Sequence, residues 1–237
     1  MKLVAPGYEI LTEISDGGVK ELQQIEKIAR VCYKSEDRIS ADGESAKKMI
    51  AGLIKSDHLA MLEHSTLSVL FTVDRGISHE LVRHRMASFA QESTRYCDYS
   101  SGKFGGDCQF IDITDSFLSD PKMSKVKLAK IENVLNEWES ALQDAEKHYK
   151  NMIAFGATPQ FARSVLPNSI KTNITVTANY REWRHIFALR AVGTTGAPHP
   201  QMQEIMIPLL RDVAKRIPIV FDDLVEQIKD QKSPEKS

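Results

Sequence analysis

The sequence predicts a mixed α/β fold in a single domain, and three observations support this prediction. Apolar and polar residues alternate over 67–73 and over 171–179, which is typical of strands with one buried face. Apolar residues recur at helical spacing in several segments, including a long one over 123–153. No internal repeat or strong linker divides the 237 residues, so we predict one domain over 1–230 and a flexible tail over 231–237.

The other elements follow from local patterns in chain order. Residues 3–14 are strand-like and are interrupted at Pro6-Gly7. Residues 88–99 are predicted to be extended or looped, and residues 100–122, rich in Gly, Asp and Ser, to be an exposed excursion. Helices are predicted over 18–34, 44–56, 77–85, 123–153, 159–165, 180–190, 201–215 and 221–229.

The long helix carries an apolar stripe, formed by Trp138, Leu142, Ala145, Tyr149 and Met152. These residues follow one another at intervals of four and three, so they share one helix face. We interpret the stripe as part of the core or of a subunit interface.

Composition narrows the class of protein. A hydrophobic content of 42% and a charged content of 27% fit a soluble globular protein. The formal net charge of -1 argues against binding nucleic acid or membrane through broad electrostatics. Residues 1–14 lack the basic start and apolar run of a signal peptide. The three cysteines have no metal-binding spacing, so we expect reduced thiols in a cytoplasmic protein.

The most informative segment is Arg83-His84-Arg85, which is followed by Ser93-Thr94-Arg95. Three basic or ionisable side chains in a row near apolar sequence would be costly unless an anion offsets their desolvation. On a helix over 77–85, Glu80 would share a face with Arg83 and His84, while Arg85 would point elsewhere. Two anions could thus be held at once. The alternative is a solvated helix end with an ion pair to Glu80.

A second basic set lies downstream and comprises Arg163, Arg181, His185 and Arg190. Arg181 and His185 are four residues apart and would share one helix face. Arg190 follows four apolar residues and is also compatible with a structural arginine that extends its head to solvent. Both basic sets follow a predicted strand, which is typical of ligand sites at strand ends.

Other candidate sites are weaker. His58, Glu63 and His64 match no common zinc spacing, so we predict no metal. Cys97 could be a nucleophile, but the sequence shows no neighbouring base, and a buried thiol is the preferred interpretation.

These motifs resemble the signature of the flavin-dependent thymidylate synthase family, an Arg-His-Arg tract followed after seven residues by serine. Here the signature is Arg83-His84-Arg85 and Ser93, continued by Thr94-Arg95-Tyr96. Further similar segments, in family order, are Glu63-His64, Ala162-Arg163, Asn179-Tyr180-Arg181, Leu189-Arg190 and Gln203-Glu204-Ile205. The resemblance spans about residues 25–225.

The resemblance implies an enzyme that methylates dUMP to dTMP. It implies 5,10-methylenetetrahydrofolate as carbon donor, FAD as redox cofactor and NADPH as reductant. It also implies a homotetramer with active sites at subunit contacts. The expected fold is a central, mostly antiparallel sheet flanked by helices, one of them long.

The resemblance also implies roles for individual residues. Arg190 would stabilise the charge that develops when the pyrimidine N3 loses its proton, without a protein nucleophile, and His58 would lie near the flavin and the folate. The expected FAD-binding residues are Glu63, Arg83, His84, Arg85, Gln91, Asn179, Tyr180, Arg181 and His185. The expected nucleotide-binding residues are Glu80, Leu81, Val82, Arg83, Gln91, Glu92, Ser93, Thr94, Arg95, Arg163 and Arg190.

Three positions depart from the family pattern. Ala90 and Gln91 stand where other members carry Asn and Glu, and His185 stands where others carry Asn. Two alternative functions therefore remain at this point. One is a regulatory protein that binds nucleotide without catalysis, and the other is a single-stranded nucleic-acid binder that uses Arg83, Arg85, Arg95 and Tyr96.

Overall fold

The computed structural model describes residues 1–102 and 106–232. Among these residues the strands are β1 (Lys2–Val4), β2 (Gly7–Ile10), β3 (Thr66–Asp74), β4 (Ala87–Gln91), β5 (Gln109–Ile111) and β6 (Lys171–Asn179). The helices are α1 (Val19–Val31), α2 (Glu44–Lys55), α3 (Arg75–Leu81), α4 (Thr114–Ser119), α5 (Leu128–Ala154), α6 (Pro159–Ala162), α7 (Tyr180–Phe187), α8 (Pro200–Arg216) and α9 (Asp222–Lys232). The predicted mixed α/β fold is confirmed. Within the described ranges, no helix combines the length and apolar character needed to cross a membrane.

The larger sheet has the strand order β2-β3-β6-β4. Ser68 Oγ lies 2.8 Å from Thr177 Oγ1, and Thr72 donates to Asn173 Oδ1 at 3.0 Å. Residue numbers thus fall along β6 as they rise along β3, which makes this pair antiparallel. Every second residue of both strands is buried. The predicted alternation and the antiparallel pairing are therefore both confirmed.

A smaller sheet corrects the prediction for residues 100–122. Strand β1 pairs in parallel with β5, with Leu3 opposite Phe110. Cys108 and Phe110 are fully buried, so this part of the predicted exposed excursion is wrong. A strand of three residues is too short to show a periodicity, which is why the sequence did not indicate it. Residues 103–105 lie outside the described residues.

The chain divides into two compact units. The first comprises residues 1–8, 70–83 and 89–175, and the second comprises 9–69, 84–88 and the segment from 176 onward. Strands β3 and β6 contribute residues to both. The predicted single domain over 1–230 stays a prediction, because no observation tests its boundary.

The first unit is built around the apolar stripe of α5. Leu142 and Tyr149 of this stripe are buried in a cluster with Tyr99 and Phe110, and Trp138 packs against the same cluster. The interpretation of the stripe as core is confirmed. The helix begins at Leu128 rather than at residue 123, because residues 123–125 form a separate 3-10 turn.

The second unit is centred on aromatic residues of α7. The Trp183 and Phe187 rings are 5.4 Å apart, and Phe221 meets Phe187 edge-on at 5.7 Å. The indole Nε1 of Trp183 donates to the Leu67 carbonyl at 2.9 Å, so α7 is attached directly to β3. Buried Trp N–H groups require such a partner. The side chains on the other face of α7 are therefore carried by a firmly anchored helix.

Two further boundaries differ from the predictions. The helix predicted over 180–190 ends at Phe187 and continues as a π-turn over Ala188–Val192. Helix α9 runs to Lys232, so residues 231 and 232 are helical rather than part of a tail. The remainder of the predicted tail, 233–237, lies outside the described residues.

Candidate active site

Two junctions between a strand and the following helix each carry an arginine, Arg75 after β3 and Arg181 after β6. Strand β3 ends at Asp74, whose carboxylate accepts a hydrogen bond from the Ile77 amide at 2.7 Å. Strand β6 ends at Asn179, whose Oδ1 accepts from the Glu182 amide at 2.8 Å. Such side-chain caps start helices because they satisfy amides that lack a partner in the first turn. Each cap thereby places an arginine close after a strand.

The Arg-His-Arg tract does not lie on a helix, which corrects the helix predicted over 77–85. Helix α3 ends at Leu81, and the Arg83 amide donates to the Glu80 carbonyl in the closing turn. Glu80, Arg83 and His84 therefore do not share a helix face. Arg83 and Arg85 are exposed, whereas His84 is 5% exposed. Strand pairing of β4, which begins two residues after the tract, outweighs the helical pattern of the sequence.

The second unit contains an open cavity of about 440 Å³ at the start of α7. Its wall combines basic, acidic, amide and apolar side chains: Leu59, Glu63, Met86, Asn179, Arg181, Glu182, Arg184, His185, Ala188 and Leu224. Four of these residues, Glu63, Asn179, Arg181 and His185, were predicted to act together at the FAD site. The structure brings these four predicted residues to one surface.

The two arginines of this cavity differ in how firmly they are held. Arg181 pairs with Glu63 at 2.6 Å, but both side chains are about half exposed. Arg184 is bound by both carboxylate oxygens of Asp223 at 2.7 Å and by the Val220 carbonyl. Exposed ion pairs contribute little free energy and exchange readily. Arg181 can therefore exchange its contact with Glu63 for a ligand, whereas Arg184 is held by its bonds to Asp223 and Val220.

Arg190 lies on the π-turn that follows α7. Its Nε donates to His84 Nε2 at 3.2 Å, so the two basic sets meet here within the second unit. This bond to a buried partner argues against the alternative of a purely structural, solvent-directed arginine. Gly193 ends the turn with φ of +83°. A Cβ at this position would lie 2.8 Å from Pro198 Cδ, so only glycine fits.

The first unit contains a separate cavity of about 460 Å³. Its lining residues are Arg75, Thr94, Gln160, Arg163, Ser164, Leu166, Pro167, Asn168 and Ile170. Arg163 is exposed and donates to Thr94 Oγ1 at 3.0 Å. Arg75 Nη1 is buried and has no hydrogen-bond partner in the described structure. Two guanidinium groups, with no carboxylate among these lining residues, make the cavity suited to an anion.

The end of β4 and the residue after it carry side chains that support the fold of the first unit. Gln91 donates to Ser78 Oγ at 2.9 Å. The Glu92 carboxylate accepts from Lys171 Nζ at 2.9 Å and from the Tyr99 hydroxyl at 2.8 Å. Burial, aided by the adjacent Glu92 charge, raises the pKa of Tyr99. The Gln91 and Glu92 side chains are thus engaged in contacts within the first unit.

The next residues form a tight turn. The Tyr96 amide donates to the Ser93 carbonyl at 3.2 Å, and the Arg95 amide donates to Ser93 Oγ at 3.3 Å. Arg95 lies over the ring of Tyr96, 5.5 Å from its centre, and both side chains are exposed. Thr94 is buried beneath the turn and receives the bond from Arg163.

Several predicted residues lie elsewhere. His58 lines a third cavity, of about 210 Å³, together with Ala29, Cys32, Tyr33, Leu53, Ala60 and Met61. The Tyr180 ring is buried against Phe221 at 5.9 Å, and burial raises the pKa of its hydroxyl. Leu81 is a core residue. The structure therefore does not bring the His58, Tyr180 and Leu81 side chains to either of the two arginine-lined cavities.

Arg75 is a candidate that the sequence analysis missed. It lies between the strand predicted over 67–73 and the helix predicted over 77–85, eight residues before the Arg-His-Arg tract. A usable signal did exist, since Asp74-Arg75 follows an alternating strand much as Asn179-Tyr180-Arg181 does. An acidic or amide cap with a nearby arginine marks both junctions.

Comparison with known proteins shows the family of this chain. Residues 19–219 match the family described as "Thymidylate synthase complementing protein". A flavin-dependent thymidylate synthase from Corynebacterium aurimucosum is 28% identical over 217 residues, which cover 89% of this chain and 83% of the relative. The enzyme of the same name from Mycobacterium sp. strain JLS is 30% identical over 209 residues, covering 84% and 78%.

Solved structures agree on the fold. The UMP/dUMP methylase PolB from Streptomyces cacaoi, bound with 5-Br dUMP, superposes with a TM-score of 0.78 at 21% identity. The match covers 95% of this chain and 97% of that one. The same protein bound with 5-Br UMP gives a TM-score of 0.74.

The family match and the named relatives therefore define a methyltransferase-type enzyme of the thymidylate synthase class. More specifically, this chain belongs to the flavin-dependent thymidylate synthase family.

Proposed function

We propose that this protein methylates dUMP to dTMP, with 5,10-methylenetetrahydrofolate as carbon donor and NADPH as reductant. Family membership carries the proposal, and the arginine-lined cavities supply residues with the required chemistry. When bound, FAD would supply the hydride chemistry that links NADPH to the methyl group. The other steps concern binding, orientation and charge stabilisation by the chain's own residues.

The nucleotide phosphate is assigned to the cavity of the first unit. Arg163 at the surface and the buried Nη1 of Arg75 offer donors that suit a phosphate, since guanidinium groups bind phosphate oxygens in pairs. The Ser93–Arg95 turn lies at the same cavity through Thr94. Glu80, Val82 and Arg83 remain proposed nucleotide contacts. For Gln91 and Glu92, the internal bonds favour a supporting role.

The flavin is assigned to the cavity of the second unit. The residues there fit this cofactor, because the amide of Asn179, the guanidinium of Arg181 and the imidazole of His185 line the same cavity as the apolar Leu59 and Met86. Such a surface suits a molecule that joins phosphates to flat apolar rings. The exposed guanidinium groups of Arg83 and Arg85 are proposed as further FAD contacts, and His58 as a group near the flavin and the folate.

Arg190 is proposed as the catalytic residue. A guanidinium beside the pyrimidine would stabilise the negative charge left when N3 loses its proton, and the ring would become more electron-rich. Arginine suits this task because it stays charged at all working pH values and presents several N–H groups in one plane. No protein nucleophile is required.

The active sites are proposed to form at subunit contacts of a homotetramer. Exposed large apolar side chains in the first unit support this proposal: Leu128 is 69% exposed, Phe155 88% and Phe161 65%. Surfaces of this kind are commonly covered by partner chains.

The deciding experiment is a visible absorption spectrum of the purified protein, repeated after adding NADPH with and without dUMP. We expect flavin bands that NADPH bleaches faster when dUMP is present, followed by dTMP formation once methylenetetrahydrofolate is added. A protein that stays colourless with added FAD would contradict the proposal. Retention of dUMP without NADPH oxidation would instead favour the regulatory nucleotide-binding alternative.

Arg181→Ala should weaken FAD retention about 10-fold, because a charge-assisted hydrogen bond is lost at a solvent-accessible site. The measurement is the FAD dissociation constant from flavin fluorescence. Arg211→Ala is the matched control, since it removes an exposed arginine from α8, away from the residues that line this cavity. Equal FAD affinity in both variants would remove Arg181 from the site.

A further inference from the structure

The side chain of His84 is buried, although His84 lies in a basic tract between two exposed arginines. Its side chain is 4% exposed, whereas its neighbours Arg83 and Arg85 are exposed. The groups that face it are Arg190, His185 and Glu182, all in the second unit. A side chain enclosed in this way has little surface to offer a cofactor.

The hydrogen bond to Arg190 determines the form of the imidazole. Arginine is only a donor, so its Nε–H must point at an unprotonated ring nitrogen, which is Nε2 of His84. The remaining proton then lies on Nδ1, and Nδ1 faces Glu182 Oε1 at 3.7 Å. Glu182 thus favours the tautomer that leaves Nε2 free to accept.

The surrounding charges keep this imidazole neutral. Burial, together with the nearby charges of Arg190 and His185, lowers the pKa of His84 to about 4. Burial also raises the pKa of Glu182. Because the imidazole is neutral, the Glu182–His84 contact is not an ion pair. At neutral pH, His84 is an acceptor of fixed orientation.

We infer that His84 is a positioning residue, which holds the Arg190 guanidinium in the orientation needed at the pyrimidine and is itself held by Glu182. This inference rests on the proposed function of Arg190. It replaces the expectation that the His84 side chain binds FAD.

The first test is independent of activity. In protein labelled with 15N-histidine, we expect the His84 ring, identified by its loss in His84→Gln, to carry its proton on Nδ1 and to stay neutral down to about pH 5. Arg190→Ala should raise its titration midpoint, because a charge that opposes protonation is removed. A ring protonated on Nε2, or one that titrates near its ordinary value of 6.5, would overturn the inference.

The second test is a double-mutant cycle with turnover and FAD content as separate readouts. His84→Leu should lower kcat about 10- to 100-fold with FAD retained, because the bond that orients a charged donor is lost. His84→Gln, which keeps an acceptor for Arg190 and a donor for Glu182, should recover part of the loss. In the Arg190→Ala background, His84→Leu should have little further effect.

The outcomes separate the two proposals. Additive losses in the cycle, or loss of FAD in His84→Leu, would overturn the positioning role while leaving the synthase proposal intact. Wild-type protein without thymidylate synthesis would overturn the synthase proposal, and the 15N measurement would still report on the bond between His84 and Arg190.

The same residue should give a pH-dependent stability. Its pKa falls from 6.5 in the unfolded chain to about 4 in the folded one, so the unfolded state binds the extra proton between these values. The stabilising contribution is present above pH 6.5 and is lost as the pH falls towards 4. Urea unfolding of His84→Gln should therefore depend less steeply on pH in this window than unfolding of the wild type.

Discussion

Arg190→Ala is expected to reduce kcat by about 10²- to 10³-fold while the protein retains FAD, which is the scale found when one donor to a developing negative charge is removed. The side chain lies on the π-turn that follows α7 and donates to His84 Nε2 at 3.2 Å. Steady-state dTMP formation and the flavin absorbance per protomer measure the two effects separately.

Arg190→Lys is the informative companion variant. Lysine keeps the positive charge but loses the planar array of donors, so we expect an intermediate rate. Recovery of the full rate would mean that charge alone matters. Near wild-type turnover in Arg190→Ala would show that the assigned role is wrong.

Arg163→Ala should raise KM for dUMP about 10- to 100-fold, because a charge-assisted contact to the phosphate is lost at a point remote from the reacting ring. Arg75→Gln should add to this effect, since Arg75 Nη1 is buried at the same cavity without a partner. The sharper measurement compares dUMP with deoxyuridine, which lacks the phosphate. The preference for dUMP should shrink in each variant and nearly vanish in the double variant.

Two controls make the result specific. Arg38→Ala removes an exposed arginine from a 3-10 turn of the second unit and should change neither KM nor the preference for dUMP. The FAD dissociation constant should stay constant in the Arg75 and Arg163 variants. An unchanged preference for dUMP in the double variant would move the phosphate out of this cavity.

Local sequence patterns were sufficient to predict the elements in which buried residues alternate or recur over many positions. The strands β3 and β6 and the stripe of α5 are of this kind, because one continuous face of each is buried. The helix predicted over 77–85 is confirmed as far as Leu81 and is wrong beyond it, for a physical reason. Its periodicity is real, but residues from Ala87 onward gain more by pairing in the sheet than by extending a helix.

In the candidate site, too, the sequence predicted features that depend on local pattern and missed those that depend on long-range contacts. Residue types and spacing indicated which side chains carry the chemistry, and Asn179, Arg181 and His185 do share a cavity wall. They could not indicate that His84 faces inward while both neighbours face outward, because that depends on a long-range partner, Arg190, 106 positions away. The sequence offered one signal for Arg75, its place directly after the Asp74 cap, whereas the lack of a partner for its buried Nη1 is visible only in three dimensions.

The π-turn at Ala188–Val192 also constrains chain length. A turn of this type holds one residue more than the α-helix would place in the same span. Each residue rotates a helix by about 100°, so removing one residue before Arg190 would relax the turn into ordinary helix and swing the guanidinium away from His84. Side-chain substitutions in this stretch can have effects on the position of Arg190 that range from small to large. A single-residue deletion there always shifts the helix register. An alignment gap at this point would therefore mark a relative in which this arrangement of the arginine has been lost.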